Sequence, residues 1–413
     1  MSRHLSTILV LFVSGCSGMA DEATLAPTTD AGNGGVSDTR LDVDTNRDVD
    51  PPDSGPSEDA LEEVEAPFFG LKDDADFLVP GSIVARSEPA ASGSLVAWVE
   101  RPDNASPTLS VWDLDTPTTP PRTFEVPNLI NPRHLALSDA FLVYTDDRYG
   151  DPDVFAIDLA SGLERTVASG PGAQERPAIL GSRVAWEDCS ACVTGDGPRG
   201  REPLRDLAER DLATALPATV FGTPDVADHS PRYGLLDDGR PALAWVSDRA
   251  TLRVERLEAG LSLTLEQSDN LAEDEAISGL SLVDGALTWR PSPLIVNPDS
   301  MIVNPDSMWP SDVLSTDLLT STTTRLTTHA ELGATLELSP DGRDGILYWL
   351  ESPPAEPRNG RLMRATLAAP DAISTVFTSE GLNAFTVGRG FVAFIAPRQD
   401  NDGEPDLHVL RTP

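Results

Sequence analysis

Seven times along the chain a short apolar run ends on an aromatic residue, at Trp98, Tyr144, Trp186, Trp245, Trp289, Trp349 and Phe394. A second run shaped like Val111-Trp112-Asp113-Leu114 usually follows after an acidic turn. The aromatics stand 46, 42, 59, 44, 60 and 45 residues apart. Recurrence at this period implies a unit that cannot bury its apolar faces alone and must stack on copies of itself. In the clearest unit Arg176-Pro177-Ala178-Ile179 reads as an inner strand, Gly181-Ser182 as a hairpin turn and Arg183-Val184-Ala185-Trp186-Glu187 as the next strand. The preceding unit supplies the other pair, Asp153 to Leu159 and Glu164 to Val167, across the turn Ala160-Ser161-Gly162. Four strands per unit make a propeller blade.

The same grammar returns at Ser94 to Trp98 with Ser110 to Leu114, at Phe141 to Tyr144, and at Phe391 to Phe394 with Leu407 to Leu410. Ser339-Pro340-Asp341-Gly342 before Ile346 to Trp349 is a variant. These units resemble the TolB-like propeller repeats, over roughly residues 76 to 413, strongly in the second and third units and weakly in the fourth and fifth. That resemblance implies an all-β fold of four-stranded blades. The last unit ends after its third strand, while Asp76-Phe77-Leu78-Val79 is spare, so the sequence predicts seven blades closed by that N-terminal strand pairing beside residues 406 to 410. The aromatics, fixed inside apolar strands, read as core between blades rather than as sugar-stacking platforms.

The start of the chain reads as an address. Arg3 and His4 precede the apolar run Ile8 to Val13, too short to span a bilayer, which gives way to Ser14-Gly15-Cys16. Val13-Ser14-Gly15-Cys16 resembles the bacterial lipobox, which implies cleavage after residue 15 and a lipid on Cys16; Ser17 directs the expectation to the outer membrane or the surface. Residues 16 to 66 are rich in Asp, Glu, Pro, Gly, Ser and Thr and lack aromatics, so they read as a disordered acidic tether to a propeller over 67 to 413. Asp42, Asp44, Asn46 and Asp48 alternate like calcium ligands, but Arg47 stands where a calcium loop needs Gly.

A formal charge of -37 excludes nucleic acid as a partner, because phosphate binding needs clustered basic residues. Cys189 and Cys192 bracket two residues of an insertion; in an exported protein they read first as a disulfide staple, with free thiols and a metal pair as alternatives. Asp400, Asp402 and Asp406, around Gly403, could hold calcium or simply build a hairpin turn, as could the acids from Asp146 to Asp153. The heptad Ile295 to Met301 is repeated without change as Ile302 to Met308, which reads as a surface-loop duplication or a contact loop.

No Gly-x-Ser-x-Gly elbow is present, and His134, His229, His329 and His408 fall at no metal-ligand spacing. The expectation is therefore a monomeric, non-catalytic envelope lipoprotein without a cofactor, binding an envelope protein or glycan, with the loops at 189 to 203 and 291 to 311 as its distinctive surfaces. The alternatives are a glycan hydrolase or lyase with paired carboxylates in the funnel, and a calcium-dependent adhesin.

Overall fold

The computed structural model describes residues 76–78 and most of 85–412; residues 1–75, 79–84, 191–204, 302–311, 327–331, 339–345, 352–358 and 398–404, with shorter gaps, lie outside the description. The described residues all fall in one compact unit, Glu65–Pro413. After β1 (Asp76–Leu78), the first blade is β2 (Ala85–Ser92), β3 (Leu95–Arg101), β4 (Thr108–Asp113) and β5 (Arg122–Phe124). The second is β6 (Arg133–Leu137), β7 (Phe141–Asp146), β8 (Asp153–Asp158) and β9 (Glu164–Ala168). The third is β10 (Gln174–Leu180), β11 (Arg183–Asp188), β12 (Asp206–Asp211) and β13 (Thr219–Phe221). The fourth is β14 (Asp228–Leu235), β15 (Pro241–Ser247), β16 (Thr251–Arg256) and β17 (Ser262–Glu266).

In the fifth blade, β18 (Glu275–Val283) and β19 (Ala286–Pro293) are separated from their partners by a small hairpin, β20 (Val296–Asn297) and β21 (Ser300–Met301), before β22 (Leu314–Asp317) and β23 (Thr322–Arg325). The sixth is β24 (Leu332–Leu338), β25 (Ile346–Glu351), β26 (Asn359–Thr366) and β27 (Ala369–Glu380). The seventh is β28 (Ala384–Gly388), β29 (Phe391–Pro397), β30 (Pro405–Arg411) and, as its outermost strand, β1. The closing register is Asp76 opposite Leu410, Phe77 opposite Val409 and Leu78 opposite His408, which is the closure expected from the spare N-terminal run. The seven innermost strands touch their neighbours in sequence and the last touches the first, so the sheets form a ring.

What drives the stacking is visible in the core, which divides into seven apolar clusters, one at each interface between consecutive blades. Each cluster contains one of the seven recurring aromatics. Tyr144 packs on the first blade, Trp186 on the second, Trp245 on the third, Trp289 on the fourth, Trp349 on the fifth and Phe394 on the sixth. Trp98 closes the circle against Phe391, Ile395 and Val409 of the seventh. All seven are buried. Truncating one to alanine costs about 3–5 kcal/mol.

The turn motifs also acquire a physical reason. Asp113, Asp158, Asp211 and Asp317 each end the third strand of a blade and accept backbone N–H groups of the following turn, as Asp158 does from Ala160 and Ser161. In two blades the serine after the first hairpin's positive-φ glycine donates to the same carboxylate, Ser94 to Asp113 at 2.7 Å and Ser182 to Asp211 at 2.6 Å. Both turns on this side of a blade are thereby stapled together.

On the opposite side lie the connections between second and third strands and the crossovers from blade to blade, as the antiparallel registers require. Both long units, Trp186 to Trp245 and Trp289 to Trp349, place their excess in that second-to-third connection. The Cys189 loop, the tandem heptad, the turn after Asp146 and the turn before Asp406 therefore depart from one face, hereafter the mouth face.

Candidate functional site

The innermost strands carry a feature that their sequence pattern does not announce. Each of the first six has a register shift, one residue wide between Ser87 and Ala90, Arg133 and Ala136, Glu175 and Ala178, His229 and Arg232, and Ser278 and Ser281, and two residues wide between Leu332 and Leu336. In five the bulge holds a residue at positive φ: Glu88 at 54°, His134 at 51°, Arg176 at 53°, Ser230 at 57° and Gly279 at 61°. A non-glycine residue held there costs roughly 1–2 kcal/mol. Four in succession at one register mark a place where the surrounding structure enforces strain. Pro89, Pro177 and Pro231, each following its bulged residue, lack the N–H that a ladder needs, and bulges are where a strand tolerates proline. The recurrence of x-Pro inside the inner strands was the available signal.

These bulges sit near the starts of the inner strands, at the mouth face, and their side chains are half-buried. Carboxylates tie them across blades. Glu88 Oε2 accepts the His134 backbone N–H at 2.9 Å, and Glu187 Oε1 accepts that of Ser230 at 2.9 Å. A chain of charges runs between them: Arg133 Nη1 donates to Asp147 at 2.6 Å, and Arg205 Nη1 donates to Glu175 and to Glu187, at 2.6 Å in each case. Arg176 stands 3.5 Å from Glu187. His229 Nδ1 and Ser230 Oγ are 3.1 Å apart.

This setting fixes the protonation states. Burial, then the field of Arg176, lowers the His134 pKa to about 4, so the ring is neutral at physiological pH. Burial works to raise Glu187, but Arg176, His229 and Arg205 and the Ser230 N–H outweigh it and hold the carboxyl below its usual value. Asp147 is likewise lowered, burial being outweighed by hydrogen bonds from Arg133 and Asn131. Raised carboxyls lie further from the axis, on third strands: burial, then Asp228 and Asp188, raises Asp206, and burial with Asp151 and Asp146 raises Asp153. Gly222 is needed beside the first of these, because a Cβ would fall 2.7 Å from Asp206 Oδ1 and 2.9 Å from Asp228 Oδ2.

The residues singled out in the sequence are distributed around this face. Cys189 is buried and disulfide-bonded, while Cys192 lies outside the described residues, as do Cys16, Asp400 and Asp402. Asp406 is buried and turned inward, where it accepts from Arg86 of the first blade at 2.5 Å. The acids of the turn after Asp146 serve protein donors: Asp146 accepts from the backbone of Ile130 and Asn131 and from Arg148, and Asp151 from the backbone of Gly172. Among the described residues no group of three or more His, Cys, Asp or Glu side chains is placed to hold a metal ion. His134 and His229, which the sequence spacing left without a role, are brought to the mouth. His408 instead stacks on Phe394 in the seventh blade.

No family model matches the sequence, and no curated protein is similar to it. Solved structures do share its shape. Oligogalacturonate lyase from Vibrio parahaemolyticus superposes with a TM-score of 0.56 at 10% identity, over 82% of this chain and 93% of that one. The tricorn protease matches at 0.53 and 15% identity over 73% of this chain, which spans about a third of it, 32%. TolB from Acinetobacter baumannii is matched at 0.43 and 14% identity over 77% of this chain and 63% of that one, a likeness too slight to bear weight. At these identities the similarity is one of fold. The class of protein defined is a seven-bladed propeller closed by its N-terminal strand, with a charged, bulged mouth.

Proposed function

We propose that the chain is an exported envelope protein, lipid-anchored through Cys16 at the outer membrane or the surface, whose TolB-like propeller binds an envelope protein or ligand at its mouth face without catalysing a reaction. One observation carries the binding face: the strained bulges, the charge network and the two long insertions leave from the mouth side, whereas Asp-capped turns recur on the other side. Loops set on a rigid scaffold are where binding residues concentrate. A non-catalytic role is supported by the carboxyls of the inner charge network, Glu187 and Asp147, which are held ionised, while the raised carboxyls Asp206 and Asp153 stand on third strands. The anchor rests on the lipobox-like Val13-Ser14-Gly15-Cys16 and the acidic stretch behind it.

The test is paired capture from an envelope extract, with and without calcium, on the wild-type protein and on Arg205→Ala, whose folding is checked by melting. A saturable partner kept by the wild type and lost by Arg205→Ala is the expected result. Glycan fragments shortened during incubation would overturn the non-catalytic reading. Cys16→Ala is expected to move the protein from the membrane fraction to the soluble one; unchanged membrane association would refute the anchor.

A further inference from the structure

We infer that β1 is a releasable strap on the seventh blade rather than the clasp of the ring: it comes off and re-seats while the ring stays folded. This mobility is independent of what the mouth binds.

Topology sets β1 apart from every other outermost strand. β5, β9, β13, β17, β23 and β27 each follow the third strand of their own blade through a turn, so none can leave without opening a hairpin. β1 instead arrives from the other end of the chain and joins β30 by no turn; its ladder is three pairs, Asp76 with Leu410, Phe77 with Val409 and Leu78 with His408. Pro80, two residues further on, has no N–H to donate and limits any extension of that ladder toward Asp406.

The strand beneath keeps its place without it. β30 pairs with β29 along its whole length, from Arg411 opposite Phe391 to Pro405 opposite Pro397. Its Leu407 and Val409 lie in the cluster with Trp98 and Trp112 of the first blade, and its His408 stacks on Phe394 at 5.3 Å. The seam between the seventh and first blades is joined directly: Arg86 donates to Asp406 at 2.5 Å, Arg411 Nη2 to the Leu114 carbonyl at 3.1 Å, and the Arg389 N–H to the Gly93 carbonyl at 2.7 Å. None of these contacts involves β1. Local opening is easiest where few pairs hold an element and nothing else depends on it. Release adds residues 76–84 to the chain ahead of the ring, a reach of at most roughly 30 Å, and re-seating restores the same three pairs.

The experiment is hydrogen exchange of the full-length protein at rising urea concentrations below the unfolding midpoint, read by mass spectrometry on the peptide covering Asp76–Leu78 and on that covering Phe391–Pro397. The expected result is measurable protection of β1, exchange at least about a hundredfold faster there than in β29, and a β1 rate nearly independent of urea, because a local opening exposes little surface. Phe77→Pro, which puts a proline in the middle of the strap, should keep the tryptophan fluorescence, near-ultraviolet circular dichroism and cooperative melting of the wild type while its β1 amides lose their protection. Wild-type β1 amides with no protection would show that the strap is never seated and overturn the inference. Equal rates in the two strands, a β1 rate that climbs with urea as steeply as that of β29, or a Phe77→Pro variant that loses its near-ultraviolet signal would overturn it in the other direction and make β1 the clasp.

Discussion

Arg86→Met tests whether the ring is held shut by more than its closing strand. Arg86 lies on the inner strand of the first blade and Asp406 on the third strand of the seventh, 320 residues away, and both are 2% exposed. Arg86 also lies 3.5 Å from Glu100 and 5.7 Å from the centre of the Trp98 ring. Methionine keeps the aliphatic volume but removes the Arg86 charge from the buried Asp406 carboxylate, which costs about 3–5 kcal/mol. Asp406→Leu leaves Arg86 with Glu100 as counter-charge, so its cost belongs at the lower end, about 3 kcal/mol. The double variant replaces a buried pair by apolar side chains and should return to within about 1 kcal/mol of the wild type. Urea unfolding of the four proteins, read by tryptophan fluorescence and circular dichroism, gives the cycle. A cost below about 1 kcal/mol for Arg86→Met, or a double variant as unstable as the two singles combined, would refute the reasoning.

Other consequences follow from the turns, the aromatics and the insertion. Asp211→Ala removes the acceptor of Ser182 and of a turn N–H and should cost about 1 kcal/mol in chemical denaturation. Because hydrogen bonds hold the Asp158, Asp211 and Asp317 carboxyls below the ordinary value, their contribution is complete above the unfolded-state pKa of about 4 and is lost as pH falls through the folded one; stability rising on acidification below pH 4 would contradict this. Trp349 Nε1 donates to Glu351 at 3.1 Å, whereas Trp186 Nε1 is buried without a partner. Trp349→Phe should therefore cost about 1–3 kcal/mol more than Trp186→Phe, and equal melting temperatures would argue against it. In the first heptad Val296 pairs with Met301 and Asn297 with Ser300, pairings that the identical second copy can supply, so deleting residues 302–308 should leave the melting temperature within about 1 °C. A marked drop would show that the second copy has its own structural role.

The fold was legible because its signal is repeated. One aromatic per interface, and an aspartate closing the third strand in four blades, recur often enough for the blade period, the strand order and the spare N-terminal strand to be read from residue identity. The mouth was not legible for the opposite reason. Glu88, His134, Arg176 and Ser230 share no chemistry; they share a backbone conformation, and only the prolines that follow three of them leave a trace in the sequence. Asp406 looked like a turn ligand because its neighbours are acidic, yet its partner, Arg86, enters from the far end of the chain. Pairings between groups hundreds of residues apart are set by ring closure, which local pattern does not encode.

Closure by an N-terminal strand also decides where mechanical load falls. Asp76 faces Leu410 at the end of the ladder away from the mouth, and Leu78 faces His408 nearer to it. A pull on the chain ahead of Asp76 would enter β1 at the end away from the mouth, while a load at the mouth would act at the other end. The tension then runs along the strand, so the three closing pairs are sheared together instead of being peeled one after another. A ladder of only three pairs is thus set in the direction in which a short ladder bears most.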